Sequence, residues 1–133
     1  MNTNPISFEI LDNSILNGFE IITKIGGYII LFSIIAQIIS AAGPNISFYK
    51  PFFMGIVEIT TGINQICSSE IDINTKIVLV ATLTSFGGLS GMAQTKSVLG
   101  STRLSIGYYL FAKIVSTFIT LLLTSIYVYL FIN

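Results

Sequence analysis

Apolar residues recur every three or four positions at Phe8, Leu11, Ile15, Phe19, Ile22 and Ile25, while Glu9, Asp12, Asn13, Glu20 and Lys24 fall elsewhere on the wheel. That spacing marks one helical face, so residues 1–24 are predicted to form an amphipathic helix at a membrane surface or against a partner. A signal peptide would instead have a basic start and an unbroken apolar core. Residues 25–49 carry no charge, and residues 26–43 approach the roughly 20 apolar residues needed to cross about 30 Å of hydrocarbon, predicting a full span. Gly43-Pro44-Asn45 predicts a reversal, and Lys50 a return to the interface. Pro51 suits the first turn of a helix predicted to reach Ile66; at about 24 Å it is too short to cross and fits a half-helix or a re-entrant segment.

A polar connection follows at residues 67–76, with Glu70, Asp72 and Lys76. Residues 77–95 are free of charge but interrupted by Ser85-Phe86-Gly87-Gly88 and by Gly91. Each interior glycine costs about 1 kcal/mol relative to alanine, so this helix is predicted to break or to pack very closely there. Residues 104–132 form a final span, with Tyr108 and Tyr109 near one end and Tyr127 and Tyr129 near the other, about 30 Å apart as two aromatic belts would be. The predicted fold is all-α: a polytopic helical membrane protein with an N-terminal amphipathic helix over 1–24 and a membrane domain over 25–133. That domain holds a full span, two shorter or glycine-broken segments and a C-terminal span.

Composition narrows the function classes. Of 133 residues, 53% are hydrophobic and only 9% charged, six basic against six acidic. Soluble domains carry about a quarter charged residues, so lipid is the natural solvent. The absence of a basic run removes nucleic acid as a partner. With no histidine and a single cysteine, Cys67, the chain can build neither an intrachain disulfide nor a Cys/His metal site nor a Ser-His triad, and neither an enzyme nor a cofactor is expected. If every segment crossed once, Lys24 and Lys76 would lie on one side and Lys50, Lys96 and Arg103 on the other, too small a bias to orient the chain.

Two constellations could carry chemistry. Glu58 sits midway along the predicted helix 51–66, where a carboxylate is expensive unless paired or wetted. Counting by three and four from it reaches Met54, Gly55, Thr61, Gly62 and Gln65, so one face would offer a carboxylate, a hydroxyl, a carboxamide and glycine gaps. Such a face suits a polar binding site; an interhelical hydrogen-bond patch is the alternative. The second constellation runs from Thr84 to Gly91, with Ala93 and Gln94 beyond. A break there frees backbone groups and leaves a helix N-terminus suited to an anionic solute, while Gly87 and Gly91 could equally form a packing seam. Lys113, one turn past Tyr109, is expected to snorkel to the interface. Lys96 and Arg103 read as loop anchors, with attraction of an anionic solute as the alternative, Cys67 as an unpaired interfacial thiol, and Gln37 as an interhelical hydrogen-bond donor, with a cavity-facing position as the alternative.

Gly55-Ile56-Val57-Glu58-Ile59-Thr60-Thr61-Gly62, followed by Ser85-Phe86-Gly87-Gly88-Leu89-Ser90 and Ala93-Gln94, resembles the C-terminal part of the YlbJ family of sporulation integral membrane proteins. That family belongs to the nucleoside recognition, or Gate, domain group of transporters. Ile25-Gly26-Gly27-Tyr28-Ile29-Ile30-Leu31-Phe32-Ser33 is similar to the start of its Gate helix. The resemblance implies a transporter in the cytoplasmic membrane of a spore-forming bacterium, moving a small anionic solute such as dipicolinate or a nucleoside-like solute. Glu58, Thr61, Gly62, Ser85, Gly87, Gly88, Ser90 and Gln94 match the family motifs, and helix geometry adds Gln65 as a candidate contact. Family members are several hundred residues long with two related halves, so the resemblance also implies a complementary N-terminal half or a second subunit. The alternative is a truncated or structural membrane module that only packs or assembles with another subunit.

Overall fold

The computed structural model describes residues 7–42, 49–100 and 102–132. The expected reversal at Gly43-Pro44-Asn45 lies outside the described residues, as does the polar start of the chain. Among the described residues six helices follow in order: α1 (Phe8–Ala42), α2 (Tyr49–Val57), α3 (Ile59–Ser68), α4 (Ile73–Phe86), α5 (Gly88–Leu99) and α6 (Ile106–Phe131). The protein is all-α and polytopic. Phe8–Ala42, Ile73–Leu99 and Ile106–Phe131 are each long and apolar enough to cross a membrane.

The expected amphipathic stretch and the first span form one uninterrupted helix of 35 residues. At 1.5 Å per residue that is about 52 Å, well beyond the hydrocarbon thickness. The excess falls at the N-terminal end, where Ser14 and the Glu20–Lys24 ion pair interleave with the apolar positions. The exposed apolar side chains of α1 and α6, such as Ile30, Ile38, Phe111, Phe118 and Leu123, are the surface a lipid chain would cover.

The segment predicted as one helix over 51–66 is instead two. It stops at Val57, passes through Glu58 in an extended conformation (φ −144°, ψ 117°) and restarts at Ile59. The two pieces fold back on one another as a hairpin. Gly62 lies so close to α2 that a Cβ built on it would fall 2.1 Å from Gly55 Cα and 2.3 Å from Gly55 N. Phe52 and Ile56 of α2 pack on the same cluster as Ile66 of α3, together with Leu79 and Leu83 of α4. In a straight helix Phe52 and Ile66 would stand about 21 Å apart. The β-branched run Ile56, Val57, Ile59, Thr60 and Thr61 explains the break locally, since such residues hold a helix weakly.

This hairpin sits in the middle of the bundle, touching α1, α4 and α5, while α6 packs on α4. Because the hairpin returns to the side it came from, Lys50 and Lys76 share one face of the bundle. Lys24, Lys96 and Arg103 share the other, which reverses the side expected for Lys50 relative to Lys76. Asp72 starts α4 by accepting the Thr75 amide at 2.8 Å. The Thr75 amide and hydroxyl hold the Asp72 carboxyl below the usual carboxylate value. That contribution to α4 is therefore complete above the ordinary aspartate value and fades as pH falls through the lowered one.

Gly62→Ala forces a methyl into the Gly55 backbone and should destabilise the protein by about 3 kcal/mol in a reversible unfolding assay in detergent. Gly26→Ala, a helical position with no atom within 4 Å of its Cβ site, should be neutral or stabilising by up to about 1 kcal/mol.

Candidate functional site

Glu58 is 1% exposed and occupies the tip of the hairpin, where α3 begins. Its Oε1 accepts the Thr60 amide at 3.1 Å. Its Oε2 accepts the Thr61 amide and the Thr60 and Thr61 hydroxyls, each at 2.7 Å, and the Ser33 hydroxyl of α1 at 3.5 Å. Serine, threonine, aspartate and asparagine are the usual residues at such a cap. The longer glutamate spans two amides at once and places its charge against the positive end of α3. Two backbone amides and three hydroxyls thus meet a buried carboxylate that makes no ion pair among the described residues.

The second break is Gly87, left-handed at φ 81°, with Gly88 also at positive φ of 69°. Glycine adopts this conformation without the Cβ penalty, which is why the glycine pair falls here. The break rests directly on the first one. A Cβ on Gly88 would lie 3.2 Å from Ile59 N, 3.4 Å from Gly55 O and 3.6 Å from Ile56 O. The positive end of α5 therefore abuts the carbonyls at the negative end of α2.

Lys113 corrects the snorkelling expectation. Its Nζ donates to Ser85 O at 3.2 Å, at the negative end of α4, and stands 5.9 Å from the Tyr109 ring centroid. The ammonium is held there by a carbonyl freed at the end of α4 and by an aromatic face. Tyr109 turns inward with it, while Tyr108, Tyr127 and Tyr129 are exposed.

Two clefts flank the double break. The hairpin cleft, of about 590 Å³, is lined by Gln37, Ser40 and Ala41 of α1, Lys50 and Met54 of α2, and Thr60, Thr61, Asn64 and Gln65 of α3. The lysine cleft, of about 500 Å³, is lined by Ile25, Gly87, Gly91, Gln94, Thr95, Val98, Leu99, Tyr109 and Lys113. Along α1, Ile25 and Ala41 lie in opposite directions from Ser33, each about 12 Å away. The two clefts therefore sit on opposite sides of the Glu58 tip.

The candidate residues divide between these surroundings. Thr61 and Gln65 line the hairpin cleft; Gly87 and Gln94 line the lysine cleft. Glu58 lines neither and lies beneath Thr60 and Thr61. Gly62 and Gly88 serve close backbone approach. Ser90, 1% exposed, accepts from Gln94 Nε2 at 2.9 Å, and the Ser85 and Ser116 hydroxyls bond each other at 2.9 Å. The single face running from Met54 through Glu58 to Gln65 does not exist, because the chain reverses at Glu58 and turns Gly55 toward Gly62. Lys113, Ser33, Thr60, Asn64 and Lys50 were missed as site residues. Gln37, expected to bridge helices, lines the hairpin cleft. For Lys113 the available signal was its place inside an otherwise charge-free span. Among the described residues no three His, Cys, Asp or Glu side chains gather as metal ligands. Comparison with protein-family models, with curated proteins and with solved structures finds no match for the chain.

Replacing Glu58 by alanine strips the α3 amides and three hydroxyls of their acceptor and should cost about 3 kcal/mol in detergent unfolding, with Glu58→Gln costing less because one amide oxygen remains. Lys113→Met leaves Ser85 O without its ammonium and should cost about 1–3 kcal/mol in the same assay, with Lys113→Arg recovering part of the loss.

Proposed function

We propose that this integral membrane protein is one half of a transport module of the YlbJ-like, Gate-domain kind, carrying a small anionic or nucleoside-like solute across a bacterial cytoplasmic membrane. The observation that carries this proposal is the pair of helix breaks packed against each other. Irregular backbone is tolerated at membrane depth only where protein buries it or a cavity lines it, and many transporters build their solute sites there. Here the breaks carry opposite charges, Glu58 at one and Lys113 at the other, and each adjoins a cleft on its own side, polar beside the hairpin and largely apolar beside Lys113.

Such a module works by exposing one site alternately to the two faces, which requires a second bundle to move against this one. A complementary repeat or a partner subunit supplies it. The exposed apolar faces of α1 and α6 are available for lipid and for that partner.

A second reading is favoured by the approach of Gly62 to Gly55: the same glycines would also serve a module that only packs and assembles. Flux separates the two. In proteoliposomes carrying the transport-competent assembly, Glu58→Gln and Gly88→Leu should each lower solute flux at least about tenfold, which is a barrier change of about 1.4 kcal/mol. Phe111→Leu on the lipid face should leave it unchanged. Undiminished flux in both site variants favours the packing module.

A further inference from the structure

The threonine hydroxyls at the floor of the hairpin cleft are polarised by what lies beneath them. A hydroxyl has one proton and two lone pairs. The Thr60 and Thr61 hydroxyls donate to Glu58 Oε2 at 2.7 Å, and Thr61 Oγ1 also meets Ser33 Oγ at 3.4 Å, so what these two cleft-lining residues have left to offer a solute is acceptor lone pairs. The Glu58 charge is thus presented to the cleft through one layer of hydroxyls. A simple anion entering there meets an acceptor floor above a carboxylate. A simple cation meets the Lys50 ammonium in the same lining. The carboxamides of Gln37, Asn64 and Gln65 can donate or accept and exclude neither.

We infer that the hairpin cleft binds a small zwitterion, its ammonium seated on the Thr60 and Thr61 hydroxyls above Glu58 and its anionic group toward Lys50. This rests on the transport proposal for the purpose of the site and replaces its simple anion, in the hairpin cleft, with a zwitterion. The chemistry needed is an ammonium and a carboxylate separated by a short apolar linker, within a cleft of about 590 Å³.

The full chain in lipid nanodiscs, titrated calorimetrically with γ-aminobutyrate, butyrate and butylammonium, tests it without reading flux. The zwitterion should bind at least about tenfold more tightly than either single-charge probe. Joint Thr60→Val and Thr61→Val substitution should reduce its affinity to that of butyrate, and joint Thr60→Ser and Thr61→Ser substitution should restore the preference. Lys50→Gln should weaken γ-aminobutyrate and strengthen butylammonium. Equal binding of butyrate and γ-aminobutyrate, equal binding of butylammonium and γ-aminobutyrate, or no binding of the three overturns the inference, as does a preference that survives the valine pair. Flux of an anion lacking an amine, with no zwitterion preference, would keep the transport proposal and sink this one. Zwitterion binding without flux would do the reverse.

Discussion

A backbone amide or carbonyl released inside hydrocarbon has no water to turn to, and each one left unpaired costs several kcal/mol. Separating α2 from α3 and α4 from α5 releases such groups at four helix ends close together in the bundle. The rest of the arrangement follows from compensating them. The positive end of α3 takes the Glu58 carboxylate, and the negative end of α4 takes the Lys113 ammonium. The positive end of α5 lies against the carbonyls at the negative end of α2, at an approach that glycine at position 88 eases. Remove one compensator and a buried polar end is left without its partner.

The same groups give the site its chemistry. Glu58 is needed to cap α3, yet it also holds the hydroxyls of two threonines that line a cleft. Lys113 is needed at the end of α4, yet it also lines the cleft on the other side. Charges that would be expensive in a plain span are held by helix ends and hydroxyls, so structural compensation and the proposed solute recognition draw on one set of residues.

Much of the fold was legible in the sequence because hydrophobic length and glycine position are strong local signals. The spans ending near Ala42 and Phe131 follow from long apolar runs, the second interrupted by Lys113, and the break at Gly87 follows from adjacent glycines in an apolar helix. The hairpin at Glu58 was legible only as a segment too short to cross. Its reversal depends on the Gly55–Gly62 approach, a contact seven residues apart that helical periodicity hides by placing both on one imagined face. Lys113 was misread for a related reason. Sequence shows how far a lysine stem reaches toward an interface, but not that a carbonyl freed 28 residues earlier lies within 3.2 Å of its ammonium.

The double break requires α2 and α3 to return to the side they left, and thiol accessibility reads that directly. In a Cys67→Ser background, single Lys50→Cys, Lys76→Cys and Lys96→Cys variants in sealed, uniformly oriented vesicles would be exposed to a membrane-impermeant maleimide. The hairpin predicts that positions 50 and 76 label from one side and position 96 from the other. Labelling of positions 50 and 76 from opposite sides would mean that residues 49–68 cross the bilayer once, and would contradict the double break on which the site is built.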